Sequence, residues 1–123
     1  MSVLVVEDEP LLRWAISESL SAAGHLVLQA ADGTSAVAAV EGAAGLDVIL
    51  LDFRLPDSND FGLLTRLRAM APASAVVMMT ACNTPELTTA ARALGAALVL
   101  DKPFDLQSLD AHLRAACARG GAA

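Results

Sequence analysis

Five groups with chemical potential stand where short apolar runs stop. Glu7 and Asp8 follow Val-Leu-Val-Val, Asp52 follows Val-Ile-Leu-Leu, Thr80 follows Val-Val-Met-Met, and Lys102 follows Leu-Val-Leu-Asp. If those runs are neighbouring parallel strands, the carboxylates, the hydroxyl and the ammonium converge on one sheet edge. Clustered carboxylates repel one another, and without a cation one or more pKa values should rise. Such a cluster is costly for stability alone, so its residue types point to a site for a hard cation and a phosphoryl group.

Within that cluster Asp52 is the candidate nucleophile. A carboxylate is already ionised at neutral pH and needs no general base to attack phosphorus. A divalent cation relieves the repulsion between this anion and an anionic donor by bridging the two. Glu7 and Asp8 are adjacent on a loop, so both can face the cleft, one directly on the metal and the other through water. Mg2+ takes one or two carboxylates and keeps several waters. The backbone carbonyl of Arg54, in the turn after Asp52, is a candidate further ligand. Lys102 is expected to pair with Asp52 at rest and with a phosphoryl oxygen after transfer, and the Thr80 hydroxyl can donate to another. Pro103, directly after the lysine, is a candidate cis proline. The product would be a labile acyl phosphate on Asp52.

The elements that must position these groups alternate in type. Strands are expected over residues 3–6, 26–30, 47–51, 75–79 and 97–100. Between and after them lie helix-period segments. The first helix spans 11–23, with Leu12, Ile16 and Leu20 on one face and Gly24 as its stop. Asp32 caps a second helix to about Val40, and a third carries Phe61, Leu64 and Leu67 to Met70. Thr84-Pro85 opens a fourth that Gly95 ends. Asp105 caps the last, with Leu106, Leu109 and Leu113 inward. This alternation predicts an α/β fold with right-handed crossovers, a parallel sheet and helices on both faces. In such sheets the ligand site lies beyond the carboxyl ends of the strands.

The 123 residues suit one domain, expected over 1–119, with 120–123 as a frayed tail. No apolar run approaches the roughly 20 residues of a membrane helix, and no export signal is visible, so a soluble, cytoplasmic chain is expected. The net charge of −6 and the scattered basic residues argue against direct nucleic-acid or anionic-lipid binding. Cys82 and Cys117 lack metal-ligand spacing and read as reduced thiols. His25 and His112 read as surface residues. Trp14, the sole tryptophan, is either a docking residue or partly packed on a neighbouring helix.

Val5-Val6-Glu7-Asp8-Glu9-Pro10, Leu50-Leu51-Asp52, Pro56, Thr80-Ala81 and Lys102-Pro103-Phe104 together resemble the receiver domain of two-component response regulators. The resemblance runs from about residue 2 to 116. It implies a flavodoxin-like, doubly wound five-stranded sheet of order 2-1-3-4-5 with five helices. It also implies Mg2+-dependent phosphorylation of Asp52 by a histidine kinase or a histidine phosphotransfer protein. Glu7 and Asp8 become the acid pair, Thr80 the switch hydroxyl and Lys102 the characteristic lysine. A downstream protein target and a monomer or weak dimer follow from the same likeness, with the fourth helix, fifth strand and fifth helix as the signalling face and Thr88, Thr89 and Arg92 as exposed candidates on it.

Three positions depart from the family pattern. Val99 stands three residues before the lysine, where Tyr or Phe is common as a rotating reporter. Asp60 replaces a usual Gly eight residues after Asp52, a position where positive φ would favour Asp over most residues. Arg54 occupies a position where a smaller or uncharged side chain is common.

Two other readings compete. A haloacid dehalogenase-type phosphatase would also use an Asp after an apolar strand, but it needs a second Asp where Arg54 stands. A receiver-like scaffold that is never phosphorylated is the other.

Overall fold

The computed structural model describes residues 1–118; residues 120–123, assigned above to a tail, lie outside them. The order is β1 (Ser2–Val6), α1 (Pro10–Ala22), β2 (Leu26–Ala30), α2 (Gly33–Gly42), β3 (Val48–Asp52), α3 (Gly62–Met70), β4 (Ala75–Thr80), α4 (Pro85–Ala93), β5 (Ala96–Asp101) and α5 (Leu106–Ala116). The strands form one parallel sheet in the order β2-β1-β3-β4-β5.

Alternation along the strands feeds two apolar cores. Leu4, Val6, Ile49, Leu51, Val76 and Met78 face α2 and α3, together with Leu64 and Leu67. Val3, Val5, Val48, Leu50, Val77 and Met79 face α1 and α5, where Ile16, Leu20, Leu109 and Leu113 meet them. Every residue of β3 and β4 is buried, as strands covered on both faces require. Leu12 and Leu106, expected inward, are half-buried and pack at the border of the second core.

Element ends differ from the sequence reading where side chains intervene. Strand pairing continues through Asp52, which sits opposite Met79, and through Thr80, opposite Asp101. These two site residues are therefore strand ends held by the ladder, not loop residues. Helix α1 starts at Pro10 because Glu9 caps it, accepting from the Leu11 and Leu12 amides at 3.2 and 2.6 Å. Helix α3 starts after Phe61, whose ring meets Phe53 with centroids 5.2 Å apart. Gly24 and Gly95, at φ 93° and 106°, follow α1 and α4 in the left-handed region that ends helices cheaply. No non-glycine among the described residues has positive φ. Asp60 therefore does not replace glycine for that reason; its carboxylate accepts the Gly62 amide at 2.8 Å.

His25 corrects the sequence reading. It is only 5% exposed, with Nε2 2.5 Å from Asp110 Oδ1 on α5 and Nδ1 3.0 Å from the Met1 nitrogen. The ring is held between the chain start and α5, where burial is tolerable because both nitrogens have partners. His112 is exposed, as expected.

Candidate functional site

The sheet delivers the expected groups to one edge. Glu7 leaves β1 with its amide still bonded to the Ala30 carbonyl at 3.0 Å, which buries its side chain almost completely. Asp8, one residue further, turns outward and is exposed. Asp52 ends the central strand and is 6% exposed. One carboxylate oxygen from each of Glu7, Asp8 and Asp52 falls within 4.8 Å of the others.

Lys102, following β5, reaches into this cluster. Its Nζ donates to Glu7 Oε1 at 2.5 Å and to Asp52 Oδ2 at 3.0 Å. The resting ion pair expected with Asp52 is present, and the Glu7 contact was not foreseen. Burial favours the neutral amine, but hydrogen bonds to Glu7 and Asp52, and their charges, outweigh it and raise the Lys102 pKa. Asp8 is raised as well, by desolvation first and then by the hydrogen bond and negative charge of Glu7. A rise was expected from carboxylate repulsion, but here desolvation leads and the Glu7 charge adds to it.

The remaining residues frame the cleft. Thr80 is buried, and its hydroxyl accepts the Cys82 amide at 3.2 Å, leaving its own proton available to donate. The Thr80 carbonyl accepts the Lys102 amide at 2.8 Å, so the two residues are fixed side by side. The Arg54 amide points to Asp52 Oδ1 at 3.4 Å, while the residue as a whole is exposed. The Lys102–Pro103 peptide is cis. Ala81 and Pro103 line an apolar cavity of about 310 Å3 with Leu12, Lys102, Phe104 and Leu106. Val99 lies on β5, half-buried against the first core.

The oxygen donors suit a small hard ion. Octahedral Mg2+ with bonds near 2.0–2.1 Å holds its ligands about 2.9–4.2 Å apart, so a modest contraction of the carboxylates would enclose it. Glu7 has Oε1 on Lys102 and Oε2 on the Glu9 amide at 3.1 Å. Asp8 and Asp52 are thus better disposed for direct contact than Glu7, which suits a water-mediated role.

Sequence reasoning missed several supports. Arg13 donates to the Glu7 carbonyl at 2.9 Å, and Asp57 reaches α2 across the sheet edge. Asn83 joins Asp101, next to Lys102, at 2.8 Å. The Asp57 and Asn83 contacts carry no local signal, because their partners lie 24 and 18 residues away. The Arg13 contact, six residues from Glu7, follows no periodic pattern. Trp14, left open above, is 61% exposed on α1, beside Leu11 at 76%. Most of the Trp14 side chain therefore stands in solvent, which permits docking and leaves room for only partial packing.

An open doubly wound sheet with an acidic pocket at its carboxyl edge defines a small class of α/β domains. The family model for the response regulator receiver domain matches residues 3–114, and this chain belongs to that family, the signalling domains of two-component systems. Transcriptional regulatory protein TcrA of Mycobacterium tuberculosis is 41% identical over 118 residues, covering 96% of this chain and 46% of that protein. The DNA-binding transcriptional regulator NtrC of a Bradyrhizobium strain is 34% identical, covering 88% and 22%. The chain thus spans less than half the length of these relatives. Among solved structures, chemotaxis protein CheY4 of Vibrio cholerae superposes with a TM-score of 0.86 at 32% identity, covering 94% of this chain and 97% of that one. A CheY-like receiver domain from Methanospirillum hungatei gives 0.89 at 22% identity, covering 97% and 94%, which bears on the fold alone. No helix among the described residues is long and apolar enough to cross a membrane.

Proposed function

We propose that Asp52 accepts a phosphoryl group from a phosphohistidine of a histidine kinase or histidine phosphotransfer protein, and that the product shifts the domain between two conformations. The observation that carries this reading is the buried Asp52 carboxylate, bonded to Lys102 and grouped with Glu7 and Asp8 within 4.8 Å. Asp8, Asp52 and the Arg54 carbonyl would hold Mg2+, with Glu7 behind them. Bound there, the ion would neutralise charge between acceptor and donor. The Asp52 oxygen attacks phosphorus, the P–N bond breaks, and the imidazole leaves. Lys102 then exchanges its Asp52 contact for a phosphoryl oxygen, and Thr80 donates to another. A cytoplasmic location is part of the same reading.

Exposed Leu11 and Trp14 on α1, beside the cavity formed by Leu12, Phe104 and Leu106, support a phosphodonor docking beside the acceptor. Signal output is assigned to α4 and β5. Thr89 and Arg92 are exposed there, while Thr88 is half-buried and donates to Asn83 Oδ1 at 2.8 Å. Val99 has too little area to act as a swinging reporter. The Thr80 loop is therefore the route outward, through Asn83 to Asp101 and Thr88. The phosphoryl group needs only a few kcal/mol of differential affinity to invert a modest bias.

Incubation with Mg2+ and acetyl phosphate, followed by intact-mass measurement, tests the reading. One phosphoryl group should be gained and should be lost in Asp52→Ala. Sustained turnover of a phosphate ester would favour the phosphatase reading instead, and no gain despite bound Mg2+ would favour a fixed scaffold.

A further inference from the structure

Asp57 lies five residues beyond Asp52, in the exposed β3–α3 loop, and has no place in the chemistry above. Its carboxylate nevertheless makes bonds well outside that loop. Oδ1 accepts the Gly33 amide at 2.7 Å, and Oδ2 accepts the Thr34 amide at 3.0 Å and the Thr34 hydroxyl at 3.1 Å. These donors form the first turn of α2, which also has its own cap, Asp32, on the Ser35 amide at 2.7 Å. The first three amides of α2 are thus divided between two aspartates, one supplied by a segment 24 residues away. A helix start with unpaired amides and a positive dipole end is a favourable seat for a carboxylate. The Asp57 carboxyl is accordingly held below the usual Asp range, by the Gly33 amide above all. Gly33 admits this approach: a Cβ there would lie 3.1 Å from Asp57 Oδ1 and 3.4 Å from Leu63.

The placement matters because of the strand order. β2 and β3 flank β1, so a bond from the segment after β3 to the segment after β2 spans the edge where Glu7 and Asp8 emerge. Between Asp52 and Asp57 the loop has two other anchors. The Phe53 amide bonds the Met79 carbonyl at 2.9 Å, and buried Leu55 exchanges amide and carbonyl bonds with Ser58 at 2.8 and 3.2 Å. Arg54 lies between these anchors, and its exposed side chain makes no hydrogen bond to the described residues.

We propose that Asp57 is a positioning residue: its bonds to Gly33 and Thr34 clamp the β3–α3 loop across the end of β1 and so set the Asp52–Arg54 turn for metal binding. The proposal rests on the functional reading above. Mg2+ demands near-ideal octahedral ligand placement, so loosening one wall of its site should weaken binding without unfolding the domain. Groups bonded directly to metal ligands change affinity by roughly 10–100-fold when removed. Asp57 acts through the loop, and a three- to tenfold loss is expected.

The test compares wild type, Asp57→Ala and the near-isosteric Asp57→Asn, whose single side-chain oxygen can accept from Gly33 or from Thr34 but not from both. Calorimetric titration gives the Mg2+ Kd, amide exchange in EDTA follows Gly33, Thr34 and the 53–58 loop, and urea titration reports global stability. The Mg2+ Kd should rise three- to tenfold in Asp57→Ala and less in Asp57→Asn. Protection of the Gly33 and Thr34 amides should fall in the same order, with both variants folded. Folded variants that bind Mg2+ within twofold of wild type overturn the clamp, whatever their urea midpoints. If wild type itself neither binds Mg2+ nor gains a phosphoryl group from acetyl phosphate, the functional reading fails and the clamp's role fails with it. If wild type does both and the variants match it, only the clamp is lost.

Discussion

Lys102 Nζ lies closer to Glu7 Oε1, at 2.5 Å, than to Asp52 Oδ2, at 3.0 Å. The lysine therefore bridges two buried carboxylates instead of guarding the acceptor alone. Removing it leaves both anions without their shared cation, a change that costs about 3–5 kcal/mol for buried pairs. The Lys102 side chain retains 19% of its exposure, so the lower end of that range is expected. In EDTA, Lys102→Met should lose about 3 kcal/mol by urea denaturation. Mg2+ should restore part of the loss, because one cation stands in for another. Equal stability of the two proteins in EDTA would show that the bridge does not hold the cluster.

Asp8 gives the opposite sign. Its carboxyl sits above its ordinary value of 3.8, through desolvation and then the neighbouring Glu7. An acid raised on folding favours the folded state fully below its unfolded pKa, and that contribution is lost as pH rises through the folded value. In EDTA at pH 7, Asp8→Asn should therefore be more stable than wild type. The gain should not exceed about 1 kcal/mol, the scale of exposed charge interactions. The difference should close as pH falls below about 4, in line with the unfolded Asp pKa. Excess Mg2+ should reverse the order, since wild type alone keeps the full ligand set. Urea titrations across pH with and without Mg2+ check each point.

Much of this arrangement was legible in the chain. Apolar runs of strand length, separated by capped helices, place Asp52, Thr80 and Lys102 at carboxyl ends whatever the side-chain details. Apart from the Lys102–Asp52 pair, polar pairing across long separations could not be read. Asp57 to Gly33 spans 24 residues, Asn83 to Asp101 spans 18, and His25 to Asp110 spans 85. Periodicity reports which face is buried, and it is silent on which polar group meets which. Glu9 was missed for another reason: Glu is not among the favoured cap residues, so the helix was expected to start a residue late.

The buried His25 supplies its own test. The hydrogen bond from His25, followed by that from Arg114, holds the Asp110 carboxyl below the ordinary 3.8. A depressed acid contributes stability above its unfolded pKa, and the contribution fades as pH falls through the folded value. Asp110→Asn should be less stable than wild type at pH 7, and the gap should narrow below about pH 4, where the unfolded carboxyl protonates. His25→Ala should cost about 1–3 kcal/mol, as expected when a buried hydrogen-bonded group is removed. A pH-independent gap for Asp110→Asn would mean that packing, not charge, is the basis of the contact.

Arg54 separates two effects on the lifetime of the acyl phosphate. Its amide faces Asp52 at 3.4 Å while its side chain stands in solvent at the cleft mouth. A guanidinium bracing the phosphoryl group would slow hydrolysis, so Arg54→Ala would shorten the lifetime. One that steers water to the phosphorus would have the reverse effect. A lifetime unchanged within twofold, by intact mass after removal of the donor, eliminates both roles.

The route from Thr80 to α4 can be tested because Val99 removes the usual aromatic one. Asn83 is central to a chain in which it donates to Asp101 at 2.8 Å and accepts from Thr88 at 2.8 Å. Asp101 precedes Lys102, and Thr88 lies on α4, so a Thr80 loop drawn toward a phosphoryl group must strain or break these bonds. Asn83→Ala deletes both at once on a half-buried position, at a stability cost of about 1–2 kcal/mol. Phosphorylation of Asp52 should proceed at the wild-type rate, because no contact with Asp52, Lys102 or the acid pair is changed. The amide shifts that phosphorylation produces along 85–93 should shrink to less than half their wild-type size. Full-sized shifts in α4 would show that the signal reaches the helix without this chain, through backbone movement of the loop itself.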